Sequence, residues 1–172
     1  MLEKEIHMTK TNDNLKAAFA GESQANRRYL AFAKQAEKEG FTHIAKLFRA
    51  AAAAETVHAH NHLRAMGGVG DTSHNLDAAI GGENYEVVSM YPDFIQEAES
   101  ENEKRALSSF RWAWEVEKEH EVLFREALAS LGSGWKDVEI WVCPVCGHTH
   151  IGPPPDKCPV CNTPGDRFEL VD

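Results

Sequence analysis

The sequence predicts an all-α four-helix bundle over residues 1–132, followed by a small metal-knuckle domain over residues 133–172. Three observations predict it. Apolar residues recur at helical spacing through four long stretches. Two of those stretches carry a Glu-x-x-His pair, Glu55/His58 and Glu117/His120. All four cysteines fall in two Cys-x-x-Cys pairs near the C-terminus, Cys143/Cys146 and Cys158/Cys161.

The elements follow in order. Met1 to Lys10 has no apolar face and is expected to be a frayed tail; it also lacks the apolar core of a signal peptide. Thr11 or Asn12 is expected to cap a first helix, with the stripe Leu15, Phe19, Glu22, Asn26, Tyr29 and Ala33, ending near Gly40. A second helix is expected from Thr42 to Met66, stopped by Gly67-Gly68-Val69-Gly70. A long crossover through Gly67 to His74 should join it to a third helix. That helix should start near Asn75 and kink at Pro92, which removes a backbone donor and crowds the preceding turn. A fourth helix is expected over about 102–131, before the linker Gly132-Ser133-Gly134.

The net charge is −9, with no basic cluster, which argues against a nucleic-acid partner. No apolar run approaches the roughly 20 residues of a membrane span. A cytoplasmic protein without a membrane partner is the expectation. In that compartment, paired cysteines favour metal over disulfide.

The bundle halves repeat. Phe48-Arg49 precedes Glu55 as Phe110-Arg111 precedes Glu117, an offset of 62 positions, and His58 stands 62 before His120. Gly21-Glu22 matches Gly82-Glu83 at an offset of 61. Each half therefore supplies one isolated glutamate and one Glu-x-x-His. Three positions span about 300° of helix, so Glu and His share a face.

Glu22, Glu55, Glu83 and Glu117 all sit in apolar stripes. Glutamate is almost never fully buried unless paired, and an unpaired buried ion costs several kcal/mol. Four carboxylates at one level would take up protons, and two divalent cations relieve that. Oxygen and imidazole donors suit iron or manganese. One Glu from each of two helices with Glu-x-x-His from two others is the donor pattern of ferritin-like di-metal bundles. Glu86, one turn after Glu83, is a further candidate, although its first-half counterpart is Ala25. Tyr29 and Tyr91 lie on the inner faces, as core residues or as donors to ligating carboxylates. His43, His60 and His62 are not expected to be ligands.

Cys143-Pro144-Val145-Cys146-Gly147 and Cys158-Pro159-Val160-Cys161-Asn162 read as two knuckles around one ion. Gly147 and Asn162 are residue types that accept a left-handed backbone. Four thiolates bind zinc or iron, and spacing does not choose between them. With that site full, His148 and His150 are not needed as ligands. Trp141, Ile151 and Phe168 are expected to pack around it.

Together these features resemble rubrerythrins over nearly the whole chain. The residues that carry the resemblance are Gly21-Glu22-Ser23, Glu55-Thr56-Val57-His58, Gly82-Glu83-Asn84-Tyr85-Glu86, Met90-Tyr91-Pro92, Val116-Glu117-Lys118-Glu119-His120 and the rubredoxin-like knuckles. The gap between the knuckles is one residue shorter than in typical members. The resemblance implies a ferritin-like di-iron bundle with a rubredoxin-like domain, acting as a peroxidase that reduces hydrogen peroxide to water in oxidative-stress defence. It implies two non-haem irons in the bundle and one iron, or zinc in recombinant material, on the cysteines. Glu55 and Glu117 would bridge the irons. Glu22 would hold the first, and Glu83 with His120 the second. His58 would exchange with Glu86 on oxidation. Electrons would come from a rubredoxin or an NAD(P)H-dependent reductase through the four-cysteine site, usually across a subunit boundary of a homodimer or higher oligomer. Two other readings remain: a ferroxidase or iron-handling protein, and a binding module with structural zinc.

Overall fold

The computed structural model describes residues 9–135 and 138–171. The expectation for the tail falls mostly on residues outside that range. The chain is all-α, with a small C-terminal domain bearing the four cysteines, as the sequence predicts. It divides into two compact units, one ending at Gly70 and the other starting at Asp71.

The first unit is a hairpin of α1 (Lys10–Lys38) and α2 (Thr42–Ala65). Thr9, rather than Thr11 or Asn12, caps α1; its hydroxyl accepts from the Asn12 amide at 3.3 Å. The helices meet along alanines: Ala33, Ala36, Ala45, Ala52 and Ala59 are buried, and short side chains let the backbones approach. Asn26 fills the seam, donating to the Ala52 carbonyl at 2.7 Å and to the Thr56 hydroxyl at 2.8 Å.

The second unit begins at α3 (Thr72–Tyr85), capped by Asp71, whose carboxylate accepts from the His74 amide at 2.8 Å. The helix thus starts three residues before the expected Asn75. Only residues 66–71 join α2 to α3, so the long crossover is replaced by a short link. At the position of the expected kink a π-helical turn, Glu86–Met90, follows α3, and α4 (Tyr91–Ser100) has Pro92 as its second residue. A π turn accommodates one extra residue in a continuous helix. The repeat offset locates that residue. Glu22 matches Glu83 at 61, whereas Tyr29 matches Tyr91 at 62. The indole N–H of Trp114, on α5 (Lys104–Ser130), donates to the Val87 carbonyl inside the turn at 2.8 Å.

Both units repeat fine detail at that offset of 62. Tyr29, Phe32 and Phe48 form one aromatic cluster, and Tyr91, Phe94 and Phe110 form its counterpart. Arg49 pairs with Glu37 at 2.6 Å and Arg111 with Glu99 at 2.5 Å. The turns match as well. Gly40 (φ 82°) and Asn102 (φ 58°) both take the left-handed conformation that ends a helix.

Past α5, strands β1 (Ile140–Val142), β2 (Thr149–Ile151) and β3 (Glu169–Leu170) form an antiparallel sheet in the order β2-β1-β3. Cys143, Cys158 and Phe168 are its buried core, with Trp141 and Val160 against them. Ile151 instead lines a cavity of about 320 Å³ with His120, Phe124 and Thr149.

Candidate metal centres

Three donor groups stand out among the described residues, and each lies within one unit. In the first, α1 brings Glu22 and α2 brings Glu55 and His58, with donor atoms within 4.8 Å of one another. Nδ1 of His58 lies 2.8 Å from Oε2 of Glu55. In the second, α3 brings Glu83 and α5 brings Glu117 and His120, again within 4.8 Å. Nδ1 of His120 lies 2.7 Å from Oε2 of Glu117. All four glutamates are half-buried, and the Glu-x-x-His spacing places each imidazole over the carboxylate one turn earlier.

The second trio carries the electrostatic signature of a cation site. Burial and the Glu117 charge push the Glu83 carboxyl up to about 7, with Glu86 adding to the effect. Burial, then Glu117, raises Glu86 as well. The hydrogen bond to Glu117 raises His120 against its own burial. Burial raises Tyr91, with the charges of Glu86, Glu117 and Glu83 adding to it. Crowded carboxylates holding protons they would ordinarily release are what a divalent cation would displace. Glu121, the neighbour of His120, is engaged elsewhere. It accepts from Asn84 at 3.1 Å and from Arg125 at 2.6 Å, and the Arg125 bond lowers its pKa.

Tyr29 and Tyr91 are half-buried in their aromatic clusters, and neither hydroxyl hydrogen-bonds a carboxylate among the described residues. His43 and His60 are exposed, as expected of histidines that are not ligands, and His62 is half-buried.

The third group is Cys143, Cys146, Cys158 and Cys161, all four sulfurs within 4.8 Å. Sγ of Cys143 lies 3.6 Å from that of Cys161, and Sγ of Cys146 lies 3.5 Å from that of Cys158. A tetrahedron with metal–sulfur bonds of about 2.3 Å has edges of about 3.8 Å, so the thiols are already close to ligating geometry. Both knuckles use the expected left-handed residue, Gly147 (φ 86°) and Asn162 (φ 62°). The amides of Gly147 and Asn162 each bond back to the first cysteine carbonyl at 2.9 Å. Burial pushes the Cys146 and Cys158 thiols up. Cys161 falls to about 7, because the Thr163 hydroxyl and amide outweigh its burial.

Two contacts were not legible in the sequence. His148, 2% exposed, pairs through Nδ1 with the Glu119 carboxylate on α5 at 2.5 Å. Thr149 places its hydroxyl 2.8 Å from Nε2 of His120. The cysteine domain therefore touches α5 at the residues flanking and forming the second trio. The donors fit two irons on carboxylate and imidazole and one on thiolate.

Comparison with known proteins agrees. The rubrerythrin family model matches residues 13–128, and the model of the rubrerythrin rubredoxin-like domain matches residues 141–169. Rubrerythrin-2 of Clostridium acetobutylicum is 37% identical, over 92% of this chain and 95% of the relative. Nigerythrin of Nitratidesulfovibrio vulgaris is 36% identical, over 92% of this chain and 85% of the relative. A solved structure of nigerythrin in its fully reduced, all-ferrous state has 32% identity and a TM-score of 0.58, covering 99% of this chain and 91% of that one.

Proposed function

Since the chain belongs to the rubrerythrin family, we propose that it is a non-haem di-iron peroxidase, reducing hydrogen peroxide to water with electrons delivered through the four-cysteine iron. The overall change is one peroxide, two electrons and two protons giving two waters. Iron supplies the two-electron chemistry when bound. The protein holds it, controls protonation and admits the electrons.

In this reading residues 1–132 hold the di-iron centre and residues 133–172 are the electron inlet. By the family pattern Glu55 and Glu117 would be shared carboxylate ligands, Glu22 would hold the first iron, and Glu83 with His120 the second. His58 and Glu86 would be the alternative ligands of the first iron, since ferric iron favours an anionic oxygen over imidazole. A rubredoxin or an NAD(P)H-dependent reductase is the electron donor, and the protein works as a homodimer or higher oligomer.

One observation carries the proposal: the thiolate knuckle is joined to the second trio. Thr149 follows Cys146 by three residues and hydrogen-bonds the imidazole of His120. An iron-storing protein has no need of an electron inlet at a carboxylate site. The contact supports an inlet at the second trio. The test is to reduce the iron-loaded protein and mix it with peroxide or with oxygen in stopped flow. Fast oxidation by peroxide and slow oxidation by oxygen are expected. The reverse order would make it a ferroxidase.

A further inference from the structure

We infer that Thr149 is a positioning residue for His120, holding the imidazole by Nε2 so that Nδ1 faces the carboxylates of the second trio; the inference rests on the di-iron reading above. The Thr149 hydroxyl has two partners. It donates to the Gly147 carbonyl at 3.4 Å and faces Nε2 of His120 at 2.8 Å. The hydroxyl thus holds the outer edge of the ring. Nδ1, on the inner edge, lies 2.7 Å from a carboxylate oxygen of Glu117, so a metal held by that carboxylate is within its reach. A histidine ligand held by its other ring nitrogen is oriented and made more basic.

The threonine is itself held in place from both sides. It pairs with Val142 in the sheet. The preceding residue, His148, is clamped to Glu119 through its side chain, while its carbonyl accepts from the Cys143 amide at 2.9 Å. One knuckle of the thiolate site, the Glu119 carboxylate and the His120 imidazole thus share a single short strand.

The first trio lacks this support. Among the described residues Nε2 of His58 has no partner, and its side chain is 54% exposed against 27% for His120. The two trios have the same donors but unequal second partners. His58 is free to swing away from a metal, and His120 is not.

The test uses full-length protein with zinc on the cysteines, titrated anaerobically with ferrous iron by calorimetry. Thr149→Val keeps the β-branched shape and removes the hydroxyl. It should weaken one of the two bundle binding steps by roughly 10–100-fold, while Thr149→Ser restores it. In the metal-free protein, ¹⁵N spectra should show the Nε2 resonance of His120 shifted in Thr149→Val and restored in Thr149→Ser. Unchanged binding in Thr149→Val, a serine variant as weak as valine, or an Nε2 resonance that Thr149→Val leaves unmoved would overturn the inference and leave the di-iron reading standing. Wild-type protein that takes up no iron beyond the cysteine site would overturn both.

Discussion

Protons should compete with metal at Glu83, and the structure sets the size of the competition. The Glu83 carboxyl sits at about 7 because it is buried beside the charge of Glu117. A cation at the second trio needs the carboxylate, so binding must expel that proton. A group with a pKa near 7 is about nine-tenths protonated at pH 6 and about one-tenth at pH 8, so affinity should fall about tenfold across that range. His120, also raised, adds a second proton and steepens the loss at the acid end. In metal-free protein the same group gives the opposite trend in stability. Its folded pKa lies above the ordinary value of 4.5, so the fold holds a proton that the unfolded chain releases. The stabilisation is fully present below pH 4.5 and is lost as pH rises through 7. The full shift would be worth about 3 kcal/mol. The carboxyl is half-exposed and screened, so about 1 kcal/mol is expected. The assay is calorimetric titration with ferrous iron at pH 6, 7 and 8, beside urea melts of the metal-free protein. In Glu83→Gln the stability trend should shrink. Affinity that is flat from pH 6 to 8, or a metal-free protein that gains stability over pH 5 to 7, would refute the assignment.

Three further outcomes are expected. Cys146→Ser should remove the thiolate absorption of the iron-loaded protein and cut donor-linked peroxide turnover, while a chemically reduced bundle still reacts with peroxide in a single turnover; loss of both would break the electron-inlet assignment. Glu86→Ala should still bind two irons but react with peroxide more slowly, by roughly 10–100-fold as for the loss of a ligand's supporting group; a wild-type rate would return Glu86 to the class of solvated helix carboxylates. Gly165→Ala should destabilise the cysteine domain by about 1–3 kcal/mol or more, because a Cβ there would lie 1.8 Å from the Pro155 carbonyl oxygen; an unchanged melt of the zinc-loaded protein would show that the loop yields.

What the sequence made legible was whatever spacing encodes. Three-residue Glu-His spacing fixes a shared helix face, two-residue Cys spacing fixes a knuckle, and a repeat offset pairs the halves without any knowledge of packing. The helix starts were less legible, because several residues can cap and hydrogen bonding chooses among them. Thr9 and Asp71 won over Thr11 and Asn75. Pro92 suggested a kink on local grounds, yet the step in offset from 61 to 62 between Glu83 and Tyr91 already signalled an extra residue. The structure stores that residue in the π turn just before the proline. Thr149 and His148 were out of reach, since their partners His120 and Glu119 lie 29 positions away and no periodicity links a helix to a short strand.

The departures from the repeat that bear on the donor groups fall on the second half, around the same three residues. The π turn takes up a residue between Glu83 and Tyr91 and opens with Glu86, a carboxylate the first half lacks. Trp114 ties that turn to α5, three residues before Glu117. Thr149 then holds the far side of His120. A duplicated hairpin alone would give two equivalent metals with the same donors and the same freedom to move. Peroxide reduction with a ligand exchange at one iron needs them unequal. Here one imidazole is held by the cysteine domain, and the other is left exposed beside its carboxylates. The inequality comes from partners beyond the ligands, so substitutions at Thr149 and within the π turn should alter the two irons separately, where substitutions in the matching aromatic clusters should alter the hairpins alike.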